Sequence, residues 1–115
     1  MRSSILKYNP RAMRSLKKSV VRLTTLFYLY EIYPNATYPA EISRNTGIDA
    51  SNIIGALRGM SKRYSDDASL VKMGLVEVIE EDGIKYYRIS EEGRKMVEFL
   101  KMHMKGGAYG PIIIR

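Results

Sequence analysis

The chain has 115 residues, enough for one domain with a single modest core. It has no cysteine and one histidine, His103, which excludes disulfides, thiolate metal sites and a histidine cluster, so no metal or other cofactor is expected. The net charge of +7 is unevenly placed: residues 1–65 carry 11 Lys/Arg against 3 Asp/Glu and residues 66–115 carry 8 against 9, so the field that attracts polyanions belongs to the first half.

No apolar run approaches the roughly 18 residues of a membrane span, and "MRSSILKYNP" is basic without an extended apolar stretch. A soluble, cytoplasmic protein with no membrane partner is expected. "SSILKY" is a short strand candidate. From about Ser15 to Tyr33, Leu16, Val20, Leu23, Phe27 and Tyr30 recur at three-and-four spacing, which predicts a helix with one buried face, ended by Pro34. Its back is apolar too, through Val21, Tyr28, Leu29 and Ile32, and a helix apolar all round is buried all round. Either a homodimer interface or a C-terminal helix folded over it is implied. Asn35-Ala36-Thr37 matches a glycosylation pattern and is read as a turn.

"PAEISRN" predicts a second helix, Pro39 to Asn45, with proline in its first turn and Gly47 as its stop. A third follows Asp49, a good cap, from about Ala50 to Arg63. It contains two glycines, Gly55 and Gly59, each of which costs about 1 kcal/mol relative to alanine in a helix interior. "SDDASLVKMG" reads as a cap and short helix ending at Gly74. "LVEVIEEDGIKYYRIS" is a hairpin of strands Leu75 to Glu80 and Ile84 to Ile89, joined through Asp82-Gly83, a dipeptide suited to a turn with positive φ at both positions. Ser90 then caps a helix with acids in its first turn and lysines toward its end, stopped by Gly106 and Gly107. "AYGPIIIR" is a last strand candidate.

Helix, helix, helix, hairpin, helix, with a tight turn at Thr46-Gly47-Ile48, is the order of a helix-turn-helix followed by a wing. The chain resembles winged helix-turn-helix transcription regulators of the broad class that includes the MarR, ArsR and PadR families. The resemblance rests on Ala40-Glu41-Ile42-Ser43, on Thr46-Gly47-Ile48 leading to Ile53 and Leu57, on "LVKMGLV", and on "YYRISEEGRKMVEFL", similar to the "Y-x-L-T-x-x-G-R" junction of those families. It covers roughly residues 15 to 105. About ten residues near "SKRYSDDASL" intervene between the third helix and the "G-L-V" strand, where the commonest pattern has a few. The resemblance implies one α+β, mainly α domain over residues 1–115, with the C-terminal helix and tail available for dimerisation.

On a wheel of 100° per residue, Ile53, Leu57, Met60 and Tyr64 share one face of the third helix. Ser51, Gly55, Arg58 and Lys62 share the opposite one, with Gly59 and Asn52 at its edge. Bare positions on an outward face let the backbone approach the floor of a major groove about 12 Å wide, with Ser51, Asn52 and Arg58 at base edges and Lys62 at phosphate. The competing explanation is a crossing point where another helix packs on the glycines, for which Arg58 and Lys62 would be poor neighbours. Arg44 on the second helix, and Arg11, Arg14, Lys17 and Lys18 before or at the start of the first, are further phosphate candidates. Lys85 and Arg88 on the returning strand are candidates beside an acidic loop, "EEDG", and equally read as a solvated hairpin edge. Most of the nine tyrosines, among them Tyr28, Tyr30, Tyr33, Tyr86 and Tyr87, are assigned to core or interface; Met96, Met102 and Met104 are read as packing or dimer residues before a ligand-pocket lining, and His103 as a surface or interface residue.

The expected function is sequence-specific binding of double-stranded DNA by a dimeric transcription regulator. The alternative is a winged-helix protein-interaction module without DNA binding, which the acidic hairpin would suit if the partner were basic. No nucleophile and base pair and no phosphate-cradling loop is evident, so an enzyme is not expected.

Overall fold

A computed structural model describes residues 20–59 and 69–103. They form a small α+β unit, mainly helical: α1 (Val20–Ile32), α2 (Pro39–Thr46), α3 (Ala50–Arg58), β1 (Val76–Glu81), β2 (Ile84–Ile89) and α4 (Glu91–His103). The order of elements is the expected one.

Helix α1 is the hub. Every residue from Leu23 to Leu29 is buried, including Thr24 and Thr25, because α2, α3, α4 and β2 all pack against it. The second apolar face of α1 is thus covered within the chain, with α4 folded over it, and needs no second copy. Burial starts only at Leu23: Val20, expected on the buried face, is 63% exposed. Residues 15–19, where the helix was expected to begin, lie outside the described residues.

The core is completed by Ile42 of α2, Ile53 and Leu57 of α3, Ile89 of β2 and Met96, Val97 and Leu100 of α4, all almost fully out of water. Complete burial of side chains of this size stabilises by about 1.5–3 kcal/mol each.

Helix α2 opens with Pro39 in its first turn and closes at Gly47, whose φ of 81° lets its N–H reach the Ser43 carbonyl. The Thr46 hydroxyl ties the turn: it donates to the Ile42 carbonyl at 2.8 Å and accepts from the Ile48 N–H at 3.2 Å. The Asn45 side-chain amide donates to the Tyr28 hydroxyl at 2.7 Å, anchoring the end of α2 on α1.

The hairpin forms as the sequence implies, its strands shifted by at most one residue from those expected. Asp82 and Gly83 have φ of 52° and 79°, so both turn residues are left-handed and the strands pair antiparallel from Glu81 opposite Ile84 to Val76 opposite Ile89. A further bridge was not anticipated. Thr37, in the loop before α2, exchanges both backbone hydrogen bonds with Tyr87, at 2.9 and 2.7 Å, so β2 is paired on its second side at that point.

The expected short helix before the hairpin is a correction. Residues 69–74, its described portion, run as successive turns that close at Gly74 (φ 80°). The backbone N–H groups there have other obligations: Leu70 and Val71 donate to the Ala56 and Leu57 carbonyls, the open end of α3.

Ser90 caps α4 as anticipated. Its hydroxyl accepts from the Gly93 N–H at 3.0 Å and donates to the Gly74 carbonyl at 2.7 Å, joining the helix start to the strand entry. Gly93 itself sits against the backbone: a Cβ there would run into the Leu75 carbonyl and the Ile89 side chain. Gly93→Ala should therefore lower stability by about 3 kcal/mol, the upper end for overpacking, because a backbone carbonyl yields less than a side chain. Urea unfolding of the variant checks this, and a loss under about 0.5 kcal/mol would mean that α4 stands off the strand entry.

Tyr30 of α1 donates its hydroxyl to Glu98 of α4 at 3.1 Å, and Lys101 lies 4.8 Å from the centre of its ring. Burial, then the hydrogen bond and charge of Glu98, raise the Tyr30 hydroxyl above the ordinary 10.0; burial alone raises Tyr87. A folded-state value above the unfolded one means stability that is intact below about pH 10 and is lost as pH rises through the folded values. Thermal unfolding should show a falling Tm above pH 10, with a shallower fall in Tyr30→Phe. Identical alkaline profiles for the two proteins would remove Tyr30 from the account.

Candidate nucleic-acid interface

The two faces of α3 differ as the wheel predicts. Ile53, Ala56 and Leu57 are buried against α1 and α2; Ser51, Asn52 and Arg58 are exposed; Gly55 lies half-buried between them. The helix contains no acidic residue, and its one basic residue, Arg58, occupies the last turn, where the macrodipole favours a cation. Asp49 stands at the cap position, yet its side chain makes no capping hydrogen bond. Its backbone carbonyl does the anchoring, accepting from Asn52 and Ile53 at 3.0 and 3.1 Å.

The length of α3 departs from expectation. The helix ends at Arg58, not Arg63, because Gly59 adopts φ 89° and ψ 152°, a conformation that no helix continues through and that side-chain-bearing residues seldom adopt. The Gly59 N–H closes the last turn on the Gly55 carbonyl at 2.9 Å. The two glycines therefore have different reasons to be glycine. Gly59 is the stop; Gly55 is a half-buried position between the exposed Ser51, Asn52 and Arg58. Lys62, placed on the same face by the longer helix, lies outside the described residues, as do Arg11, Arg14, Lys17 and Lys18.

The other basic candidates are placed with carboxylates at hand. Arg44 projects from the last turn of α2, exposed, 3.7 Å from Glu41 one turn earlier. An exposed pair of this kind is worth about 0.2–1 kcal/mol and leaves the guanidinium available to a stronger anion. On the hairpin, Arg88 lies 3.4 Å from Glu77, directly across the strands, and Lys85 stands opposite Glu80. The hairpin cations thus face carboxylates of their own sheet. Asp82 sits in the tight turn at the hairpin tip.

The tyrosines divide. Tyr28 and Tyr87 are buried; Tyr30 and Tyr86 are half-buried; Tyr33 and Tyr38 are exposed, Tyr38 meeting Tyr86 edge to face at 6.1 Å and Tyr33 lying 4.3 Å under the Arg94 guanidinium. Met96 is in the core and Met102 is 67% exposed, while Met104 lies outside the described residues. His103 tilts against Phe99 and contacts the carbonyl of that residue through Nδ1 at 2.9 Å. Among the described residues no group of three His, Asp or Glu could hold a metal ion, and no helix is long and apolar enough to cross a membrane.

Sequence reasoning missed the contribution of Leu70 and Val71 to the end of α3, for which the sequence offers no local signal. It also missed the stop at Gly59, whose signal was present: a basic residue followed by glycine is a common helix ending. The two glycines can be told apart by substitution. Gly59→Ala should lower stability by about 1–3 kcal/mol through strain at positive φ, whereas Gly55→Ala should raise it by up to about 1 kcal/mol through helix propensity. Chemical denaturation midpoints of the two variants test the assignment, and two gains would mean that the helix runs on through Gly59.

A family model described as EarA-like matches residues 12–100, and the chain belongs to that family. It is 44% identical over 98 residues to an uncharacterized protein of Methanocaldococcus jannaschii, an alignment that takes in 85% of this chain and 88% of the relative. No solved structure matches it.

Proposed function

We propose that this member of the EarA-like family is a winged helix-turn-helix protein that binds double-stranded DNA sequence-specifically and regulates transcription in the cytoplasm, with α3 entering the major groove. The observation that carries the reading is the outward side of α3: Ser51, Asn52 and Arg58 exposed in one helix without a carboxylate, and Gly55 bare between them. Ser and Asn are short donors and acceptors for base edges, and Arg matches the two acceptors of guanine. The helix packs on α1 and α2 through its other side, so presenting this one requires no rearrangement. Arg44 supplies a phosphate contact, Lys62 is kept as a phosphate candidate on its charge alone, and Gly59 marks where the backbone leaves the groove. Binding without a chemical step is all this requires.

The hairpin takes the place of the wing. With Arg88 and Lys85 opposite Glu77 and Glu80, and Asp82 at the tip, its contact with phosphate is weak. That same acidity supports the second reading, a protein-interaction module of the same fold. A homodimer is supported by exposed Val20 and Met102, at the start of α1 and near the end of α4. Two copies related by a two-fold axis would read an inverted repeat with half-sites about one DNA turn, roughly 34–36 Å, apart or a multiple of it.

Selection of bound duplexes from a random pool, followed by titration of variants, tests the proposal. Arg58→Ala should weaken binding to the selected site by about 1–3 kcal/mol and relax preference at one base pair per half-site. Arg44→Ala and Lys62→Ala should weaken selected and random duplexes alike, and each should make the salt slope shallower by about 0.9 for every phosphate its cation no longer neutralises. Gly55→Ala should reduce affinity despite its stabler helix. Uniform weakening by Arg58→Ala would reassign Arg58 to the backbone and leave readout to Ser51 and Asn52. No effect from any of the three charge removals would leave the interaction module as the function.

A further inference from the structure

Among the described residues, β2 is paired on both sides at Tyr87, with Val78 on one and Thr37 on the other, whereas the outer edge of β1 pairs with nothing. An open edge presents N–H and C=O groups that another strand can take up. The side chains at this edge are unusual for one that is merely exposed. Val78, on the inner face with Tyr87, is 39% exposed, and Ile79, on the outer face with Tyr86, is half-buried. A partner lying on one face of the hairpin would cover one of them. A strand added alongside β1 would cover both.

Charge narrows the occupant. β1 carries Glu77, Glu80 and Glu81 and no basic residue, and Asp82 follows it. Glu77 is engaged by Arg88 and Glu80 faces Lys85, but Glu81 is opposite the apolar Ile84, and Asp82 sits in the turn. Glutamates on an edge strand also discourage self-association, since two copies of β1 placed edge to edge would bring like charges together. The same carboxylates repel phosphate, so nucleic acid is not the occupant.

We propose that the outer edge of β1 is a docking site for an extended, basic segment of a partner protein, added as a further strand. Its lysines or arginines meet Glu80, Glu81 and Asp82, and its β-branched residues cover Val78 and Ile79. The site rests on the acidic hairpin of the second reading above and is independent of what α3 binds. A protein with both surfaces would join a duplex at α3 to a basic protein segment at the hairpin.

The test titrates the full chain with a short synthetic peptide, Lys-Lys-Val-Val-Lys-Lys, whose adjacent valines take opposite faces of a strand as Val78 and Ile79 do, and with the same peptide N-methylated on alternate backbone nitrogens. Binding is followed by fluorescence anisotropy and by amide exchange. The unmodified peptide should bind and slow exchange in Val76–Glu81, and the N-methylated one should bind at least about tenfold more weakly, because it lacks the donors that a strand supplies. The double variant Glu80→Lys, Glu81→Lys, both positions exposed, should lose about tenfold or more in peptide affinity, less so at high salt, with an unchanged far-ultraviolet circular dichroism spectrum. Arg58→Ala should keep full peptide affinity, which separates failure here from failure of the DNA reading. Equal binding of the two peptides would reduce the site to charge attraction and overturn strand addition. So would protection away from β1, or no binding of either peptide.

Discussion

Seven consecutive residues of α1, Leu23 to Leu29, are withdrawn from water, and the rest of the structure depends on that burial. A helix covers only part of its circumference by packing on one neighbour, so burying every side needs neighbours on every side. α2 and α3 supply one part, β2 and α4 the others. Of the polar groups taken into the packing, the fully buried Thr25 hydroxyl has no partner among the described residues, whereas the Tyr28 hydroxyl is bonded by Asn45. That bond fixes where α2 ends on α1, and the Thr46 hydroxyl fixes the turn that follows. The attitude of α3 is thus set from α1 outward, through three side-chain hydrogen bonds and a left-handed glycine.

The hairpin and α4 are joined to this hub at one small node. Ser90 bonds both the α4 start and the Gly74 carbonyl, the Ser90 N–H bonds the Leu75 carbonyl, and Gly93 lets the helix lie directly on that backbone. The segment immediately before the node, Leu70 and Val71, closes the carbonyl end of α3. A single stretch of chain therefore links the end of α3 to the entry of β1, and the hairpin is held in a definite relation to the exposed side of α3.

Much of this was legible in the sequence, and what was legible had a local cause. Asp82-Gly83 between alternating segments specified the hairpin, since few other residues accept positive φ twice in succession. Ser90 before two glutamates specified the start of α4, and the period of Ile53 and Leu57 specified which side of α3 faces out. The failures are of two kinds, a local stop outweighed by the apolar period and pairings made only in space. Met60 and Tyr64 continue the apolar period of α3, so periodicity carried the helix past Gly59, where backbone conformation ends it. Leu70 and Val71 read as helix because their obligation to α3 is made in space. The Thr37 bridge pairs residues 50 apart and leaves no mark in either local pattern. The doubly apolar α1 left two explanations open, a second copy or a covering C-terminal helix, and only packing could decide. Of the candidate site, the side of α3 was readable because it follows from a period. The ion pair of Arg88 with Glu77 was not, because it follows from strand register.

The charges of the hairpin acquire a spatial meaning once register is known. In the hairpin each basic residue of β2 stands opposite a glutamate of β1, so the pairs largely cancel and the remaining field near the tip is set by Glu81 and Asp82. On α3 no carboxylate offsets Arg58. At physiological salt the screening length is about 8 Å, so a polyanion approaching either surface responds mainly to the charges on that surface and little to the net charge of the molecule. On the proposed reading, a duplex is drawn to α3 and turned away from the hairpin tip by opposite local fields, which selects one docking orientation before any base is read. A basic partner meets the reverse preference. On that reading the two surfaces sort their ligands by charge, and specificity is left to Ser51, Asn52 and Arg58 on one and to the open edge of β1 on the other.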